Sequence, residues 1–200
     1  MPTIFSHAVF GFATSKLASG EASANARLLI ASAVLAALPD ADALFISVIP
    51  YNHLLGHRGL THSLLFAAVV GTAAAFLFMR AGWAEGWTWA RLALLFSLVI
   101  ASHGFFDAMT DGGLGIAFFA PFDNTRYFLP WRPIPVAPLS PGGLATPRGQ
   151  RLLLWEGALF WTFAAGAALW SKRSTWRIAA SIACWLATLI MWIIALENNG

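Results

Sequence analysis

Four stretches of the chain are apolar over nearly the width of a lipid bilayer: Ser63–Met79, Leu92–Phe106, Leu152–Trp170 and Ile178–Leu196. A bilayer core takes about 20 apolar helical residues, or somewhat fewer at the short end. Runs of this kind predict an all-α fold, a polytopic membrane bundle with about four transmembrane helices. The composition agrees: 58% of the 200 residues are hydrophobic and only 10% charged, where roughly a quarter of a soluble domain is charged. The formal net charge of +3 then reads as topology signals and headgroup contacts, and no nucleic-acid partner is expected. Ten Trp suit the bilayer interface. The single cysteine, Cys184, excludes an intrachain disulfide and a CxxC metal site. No basic stretch precedes the first apolar residues, so no cleavable signal peptide is expected.

Two weaker apolar segments precede the spans. Thr3–Leu17 and Ala26–Leu38 are short, and they read as a helical hairpin or as interfacial helices. Pro39 is expected to stop the second. Between Asp107 and Arg151 the composition changes: seven of the ten prolines fall between Pro121 and Pro147. No single helix tolerates that, so the segment reads as a long Pro-rich loop. Its "FFAPFDNTRYFLPWRPIPV" is aromatic and apolar, which argues for an ordered loop on the membrane surface and against a solvated linker. The chain is read as one membrane-embedded domain, 1–200. Residues 1–140 carry the polar motifs; 141–200 hold the end of the loop and two generic spans.

The polar residues fall in a pattern. "HLLGHRGLTHS" (53–63) leads into the first span, with "LPDAD" (38–42) just before it, and "SHGFFDAMTDGG" (102–113) lies at the exit of the second. Entry to one span and exit from the next are on the same side of a membrane. His57, His62, Asp40, Asp42, His103, Asp107 and Asp111 can therefore converge on one surface. His103 and Asp107 are four apart, on one helical face, and Asp111 continues the row if the helix persists.

Imidazole with carboxylate is the ligand set of zinc, manganese or iron. Ionisable residues at membrane depth cost roughly 2.5–3.5 kcal/mol or more each, so they face a site and have partners. Taken singly, each residue has a plainer reading. His103–Asp107 can be a hydrogen-bonded structural pair, Asp40 and Asp42 helix caps, His53 an interfacial side chain, His7 a buried histidine and Arg58 a topology charge. Taken together, the order H, PDxD, HRGxTHS, HxxxD favours a metal site.

With "HAVFG" (7–11) and "PFDNTRYFLPWRPI" (121–134), these motifs resemble the YdjM-type family of bacterial inner-membrane, metal-dependent hydrolases, which is LexA-regulated in some bacteria. The likeness covers about residues 1–140. It implies a multi-pass protein of the bacterial inner (cytoplasmic) membrane with a divalent metal. A more distant similarity is to the zinc-dependent phospholipase C and P1 nuclease group. It implies that Asp40 or Asp42, His62, His103 and Asp107 hold a first ion, and that His7 and Asp107 help hold a second. No His follows His103, so that group's later ligands are absent and one or two zinc-like ions are expected.

The expected chemistry is hydrolysis by a metal-activated water, on a phosphoester or lipid-linked substrate at the membrane surface. Arg58, His57 and Asp111 are the candidate catalytic residues. Arg58 or Arg126 would meet developing negative charge, Thr61 and Ser63 would orient ligands, and Trp131–Arg132–Pro133 would anchor the loop among lipid headgroups. The competing readings are a divalent-metal carrier, a bis-histidine haem protein and a structural membrane protein. A carrier should place polar groups near mid-bilayer and show repeats; here they sit at span ends. "SKRSTWR" (171–177), with Arg80 and Arg91, makes the opposite turns basic and hence cytoplasmic, which puts the site on the external face. Arg126, Arg132, Arg148 and Arg151, on the site's own side, weigh against that sidedness.

Overall fold

The computed structural model describes residues 1–23, 25–138 and 141–197. Among these residues it is all-helical, with isolated β-bridges and no strands. The helices are α1 (Ile4–Ser23), α2 (Ala26–Ala37), α3 (Leu64–Arg80), α4 (Trp89–Ala108), a short α5 (Pro141–Leu144), α6 (Pro147–Glu156), α7 (Thr162–Leu169) and α8 (Thr175–Glu197). A π-helical turn, Gly157–Trp161, joins α6 to α7 in one continuous rod.

Four helical rods are long and apolar enough to cross a membrane: Ala26–Phe45, Trp89–Ala108, Pro147–Leu169 and Thr175–Glu197. The number four agrees with the sequence reading, but the membership changes. Ala26–Leu38 is not a short element. Pro39 ends the α-helix, and the chain carries on as a 3₁₀-helix, Leu38–Phe45, with Pro39 in its first turn. Proline is tolerated there because the first N–H groups of a helix have no intrahelical partner. The expected span Ser63–Met79 is instead α3, whose 17 residues rise about 25 Å, short of the ~30 Å hydrocarbon core. Ser63 is its N-cap and accepts a hydrogen bond from Phe66 N at 3.0 Å.

The packing order follows from the contacts. α3 lies on α4, α4 on α2, α2 on α1, α1 on α7, and α7 on α8. Small residues bring these axes together: a β-carbon added at Gly71 would collide with Ser97, and one at Gly166 with Trp185. Close approach of this kind is what holds helices together where lipid removes the hydrophobic driving force. The outer surface is correspondingly apolar, with Leu186, Leu189, Ile190 and Ile193 of α8 exposed.

The α1–α2 and α3–α4 turns share one end of the bundle. Asn25 caps α2, and its side-chain amide donates to Trp83 O at 3.1 Å, while Arg27 stacks over the Trp83 ring. The opposite end carries the C-terminus of α2, the N-terminus of α3, the C-terminus of α4 and the Pro-rich loop. That loop is ordered, as expected. Ile116 and Ile134 are fully buried, and bridges tie Thr110 to Ile134 and Ile116 to Tyr127.

Candidate metal centre

The site is assembled from the 3₁₀-helix after α2, the 53–63 turn, and the last turns of α4. In a 3₁₀-helix residues two apart point about 120° away from one another, so Asp40 and Asp42 splay toward different partners. Both are buried, as are His57, His62, His103 and Asp107.

Asp40, His62, His103 and Asp107 each offer a ligand atom, all within 4.8 Å of one another. Asp40 Oδ1 is 3.2 Å from His103 Nε2 and 3.9 Å from His62 Nε2. Asp107 Oδ2 is 3.6 Å from His62 Nε2 and 3.9 Å from His103 Nε2. Ligand atoms around a tetrahedral ion bound at about 2.0–2.1 Å stand about 3.3 Å apart, so this spacing suits such an ion. These four residues carry five buried atoms without a hydrogen-bond partner: Asp40 Oδ1 and Oδ2, His62 Nε2, His103 Nε2 and Asp107 Oδ2. Buried polar atoms in native proteins are nearly always paired, so the cluster has the character of a ligand set.

The remaining atoms of these ligands are held from behind. His103 Nδ1 donates to Ala36 O at 2.7 Å, which leaves Nε2 facing the cluster. His62 Nδ1 lies 3.2 Å from Asp42 Oδ2 and 3.0 Å from Thr61 Oγ1, and Thr61 Oγ1 in turn donates to Asp42. A carboxylate behind an imidazole fixes its tautomer in this way at metal sites. Burial holds the His62 imidazole below its ordinary pKa, which favours the neutral, ligating form. Asp107 Oδ1 accepts from His7 Nε2 at 3.2 Å, and the His7 ring stacks on His103 with centroids 3.7 Å apart.

A second group, Asp42, His57 and His62, also gathers ligand-type atoms within 4.8 Å. Here the atoms are spent on one another: His57 Nδ1 meets Asp42 Oδ1 at 2.6 Å. The other His57 nitrogen, Nε2, is 3.0 Å from Met1 Sδ.

Arg58 is buried and has φ 67°, the left-handed region, a conformation that costs a non-glycine residue about 1–2 kcal/mol. Its Nη1 donates to Gly112 O at 2.8 Å and its Nη2 to Thr110 Oγ1 at 3.0 Å, while Nε lies 3.4 Å from Asp107 Oδ2. Arg126 is spent on backbone. It donates to the carbonyls of His57, Tyr51 and His53 at 2.9–3.1 Å and so clamps the histidine-bearing turn. Ser63 caps α3, as described above, and Thr61 alone of that pair touches the ligands.

Of the residues expected at the site, the structure brings together Asp40, His62, His103 and Asp107, with Asp42, His57, His7 and Arg58 packed around them. Asp111 lies outside both groups. α4 ends at Ala108, so the helical row does not reach it; Asp111 is exposed, and its Oδ1 accepts from Val136 N at 2.8 Å. His53 is exposed. Two contributors were missed. Thr110, fully buried, joins Arg58 to Asp107 O. Gly104 allows the His62 turn to lie against α4, since a β-carbon there would come within 2.8 Å of His62 O. Gly104 directly follows His103, and that adjacency was the available signal.

Fold and site together define a multi-pass helical membrane protein with a buried His/Asp cluster, able to hold a metal, at one end of its bundle. The chain belongs to the YdjM inner membrane protein family, whose family model matches residues 1–198. It is 36% identical over 181 residues to inner membrane protein YbcI of Escherichia coli (strain K12), covering 86% of this chain and 99% of that protein. No solved structure matches it. The chain is accordingly an inner-membrane protein. The more distant likeness to the zinc-dependent phospholipase C group is not shown by these matches.

Proposed function

We propose that this protein is a membrane-embedded, metal-dependent hydrolase acting on a phosphoester or lipid-linked substrate at the membrane surface. The observation that carries the reading is the set of unpaired, buried ligand atoms on Asp40, His62, His103 and Asp107. These four residues would hold one divalent ion, zinc by ligand type. Such an ion, when bound, supplies Lewis acidity and an activated water. The chain's own groups do the rest. Asp42 and Thr61 hold the His62 ring, Ala36 O holds the His103 ring, and His7 holds one oxygen of Asp107. Arg58 sets a cation beside the cluster, its Nε 3.4 Å from Asp107 Oδ2 and without a hydrogen bond.

The ligands come from span ends on one side of the bundle, which favours a surface-opening enzyme over a carrier with a mid-bilayer path. The test is metal analysis of protein purified without chelator, followed by assay on phospholipid and lipid-linked phosphoester substrates. Stoichiometric zinc with metal-dependent release of a phosphorylated or lipid product is expected. Stoichiometric metal with no turnover on any ester class would favour the carrier or a structural role, and absence of metal after divalent-ion addition would sink both metal readings.

We place the site on the external face, because the opposite end carries Arg80, Arg91, Lys172, Arg173 and Arg177 in or beside its short turns. Ser174→Cys, in a Cys184→Ser background, should react with an impermeant thiol reagent only after the membrane is opened. Labelling from outside in intact cells would reverse the assignment.

A further inference from the structure

Between Asp123 and Glu156 the chain carries four arginines and no acidic residue. Two of the four are committed: Arg126 to backbone carbonyls, as above, and Arg132 over the Phe128 ring at 5.0 Å. Arg148 and Arg151 are exposed, and among the described residues neither has a hydrogen bond or ion pair. They stand three apart at the start of α6, on one face of the rod Pro147–Leu169, which is long and apolar enough to cross a membrane. That puts two guanidinium groups, without partners among the described residues, at the end of the rod where headgroups would lie.

Directly beneath them the surface is hollow. A cavity of about 540 Å³ is bounded by Arg148, Arg151, Leu154, Trp155 and Met191. A smaller hollow of about 220 Å³, under Val136, Pro138 and Gly143, shares Pro135, Arg148 and Leu152 with it. The pair forms one groove, cationic at its upper rim and apolar below. Residues 148, 151, 152 and 155 form a single helical stripe along its wall, so the polarity changes along the rod as it does across a lipid leaflet.

We propose that this groove binds an anionic glycerophospholipid. Its phosphate is held by Arg148 and Arg151, whose planar forks each bond two phosphate oxygens. One acyl chain lies along Leu154, Trp155 and Met191. A free phosphate would leave the apolar wall uncovered, and the charges that the lining itself supplies, Arg148 and Arg151, favour an anionic headgroup. The groove lies on the same face as the His/Asp cluster and is tied to it. Its wall residue Pro135 follows Ile134, which bonds Met109 and Asp111 on either side of Thr110, and Thr110 holds Arg58. The lipid site stands whether or not the bound lipid is hydrolysed.

The test uses the full chain in detergent, exchanged into mixtures of dioleoyl-phosphatidylglycerol and dioleoyl-phosphatidylcholine, with bound lipid read by native mass spectrometry. Wild type should retain the glycerol lipid at least tenfold over the choline lipid, and the preference should fall with added salt. The double variant Arg148→Gln/Arg151→Gln should lose the preference with metal content unchanged. Arg80→Gln, at the other end of the bundle, should keep it. Equal retention of the two lipids by wild type overturns the proposal without any variant. So does a persisting preference in the double variant, or displacement of the lipid by equimolar inorganic phosphate.

Discussion

The two halves of the polar cluster share His62 and are built from the same residue types, yet they differ in one respect. Around Asp40, ligand atoms face one another at 3.2–3.9 Å without hydrogen bonds. Around Asp42, each oxygen is occupied: one by His57 at 2.6 Å, the other by Thr61 and His62. A satisfied carboxylate is a brace and an unsatisfied one is a ligand. The difference follows from a single local event, the tightening of α2 into a 3₁₀-helix at Pro39, which turns Asp40 and Asp42 away from each other. Arg58 Nε, 3.4 Å from Asp107 Oδ2, offsets part of the carboxylate charge on the Asp40 side, and an ion would offset the rest.

The largest effect should come from the unsatisfied half. His103→Ala and His62→Ala each remove one of four ligands and open the site, and metal content should fall to background in both. Measured by elemental analysis of purified protein, retention of full metal by either variant would break the distinction between the halves. Metal retention in wild type should also fall as pH is lowered through the imidazole range, since only neutral imidazole ligates.

A smaller effect is expected from the satisfied half. Asp42→Asn keeps the shape but replaces the carboxylate that receives the His62 and His57 N–H groups. Loss of such an outer partner costs about 10–100-fold in metal affinity, so a chelator competition should show weakened but measurable binding. If Asp42→Asn instead abolishes metal as His103→Ala does, Asp42 is a ligand and the second group holds an ion of its own.

Much of this was legible in sequence, and the reasons are physical. The apolar runs fixed the all-helical membrane class, because length and hydropathy suffice for that. His103 and Asp107 were legible because helical periodicity places residues four apart on one face. The convergence of 38–42, 53–63 and 102–113 was legible from span topology. Three things were not. The continuation of the chain past Pro39 depends on a 3₁₀ geometry that periodicity does not announce. The division of labour between Asp40 and Asp42 depends on that same geometry. The placement of Asp111 depends on α4 ending at Ala108, three residues too soon for the row to hold.

Arg58 gives the smallest and most discriminating prediction. As a sequence feature it reads as an anion-binding group; in the structure two of its three nitrogens brace the chain after α4, through Gly112 O and Thr110 Oγ1, and the third faces Asp107. Gly113, with φ 91°, leaves the room this guanidinium occupies, since a β-carbon there would strike Nη1. Lysine keeps the charge but offers one compact ammonium in place of the fork. Arg58→Lys should therefore leave a buried acceptor unpaired, at a cost of about 1–3 kcal/mol in stability, seen as a lowered thermal midpoint in detergent. Metal affinity should fall only a few-fold, because Asp107 keeps its contact with His7. A substrate-contacting role predicts the opposite pattern: unchanged thermal midpoint and metal affinity, with the loss confined to KM. An intermediate result, in which stability falls and KM rises together, would mean that the unpaired Nε reaches substrate while the other two nitrogens hold the loop, and it would join the braced and the open halves of the cluster through this one side chain.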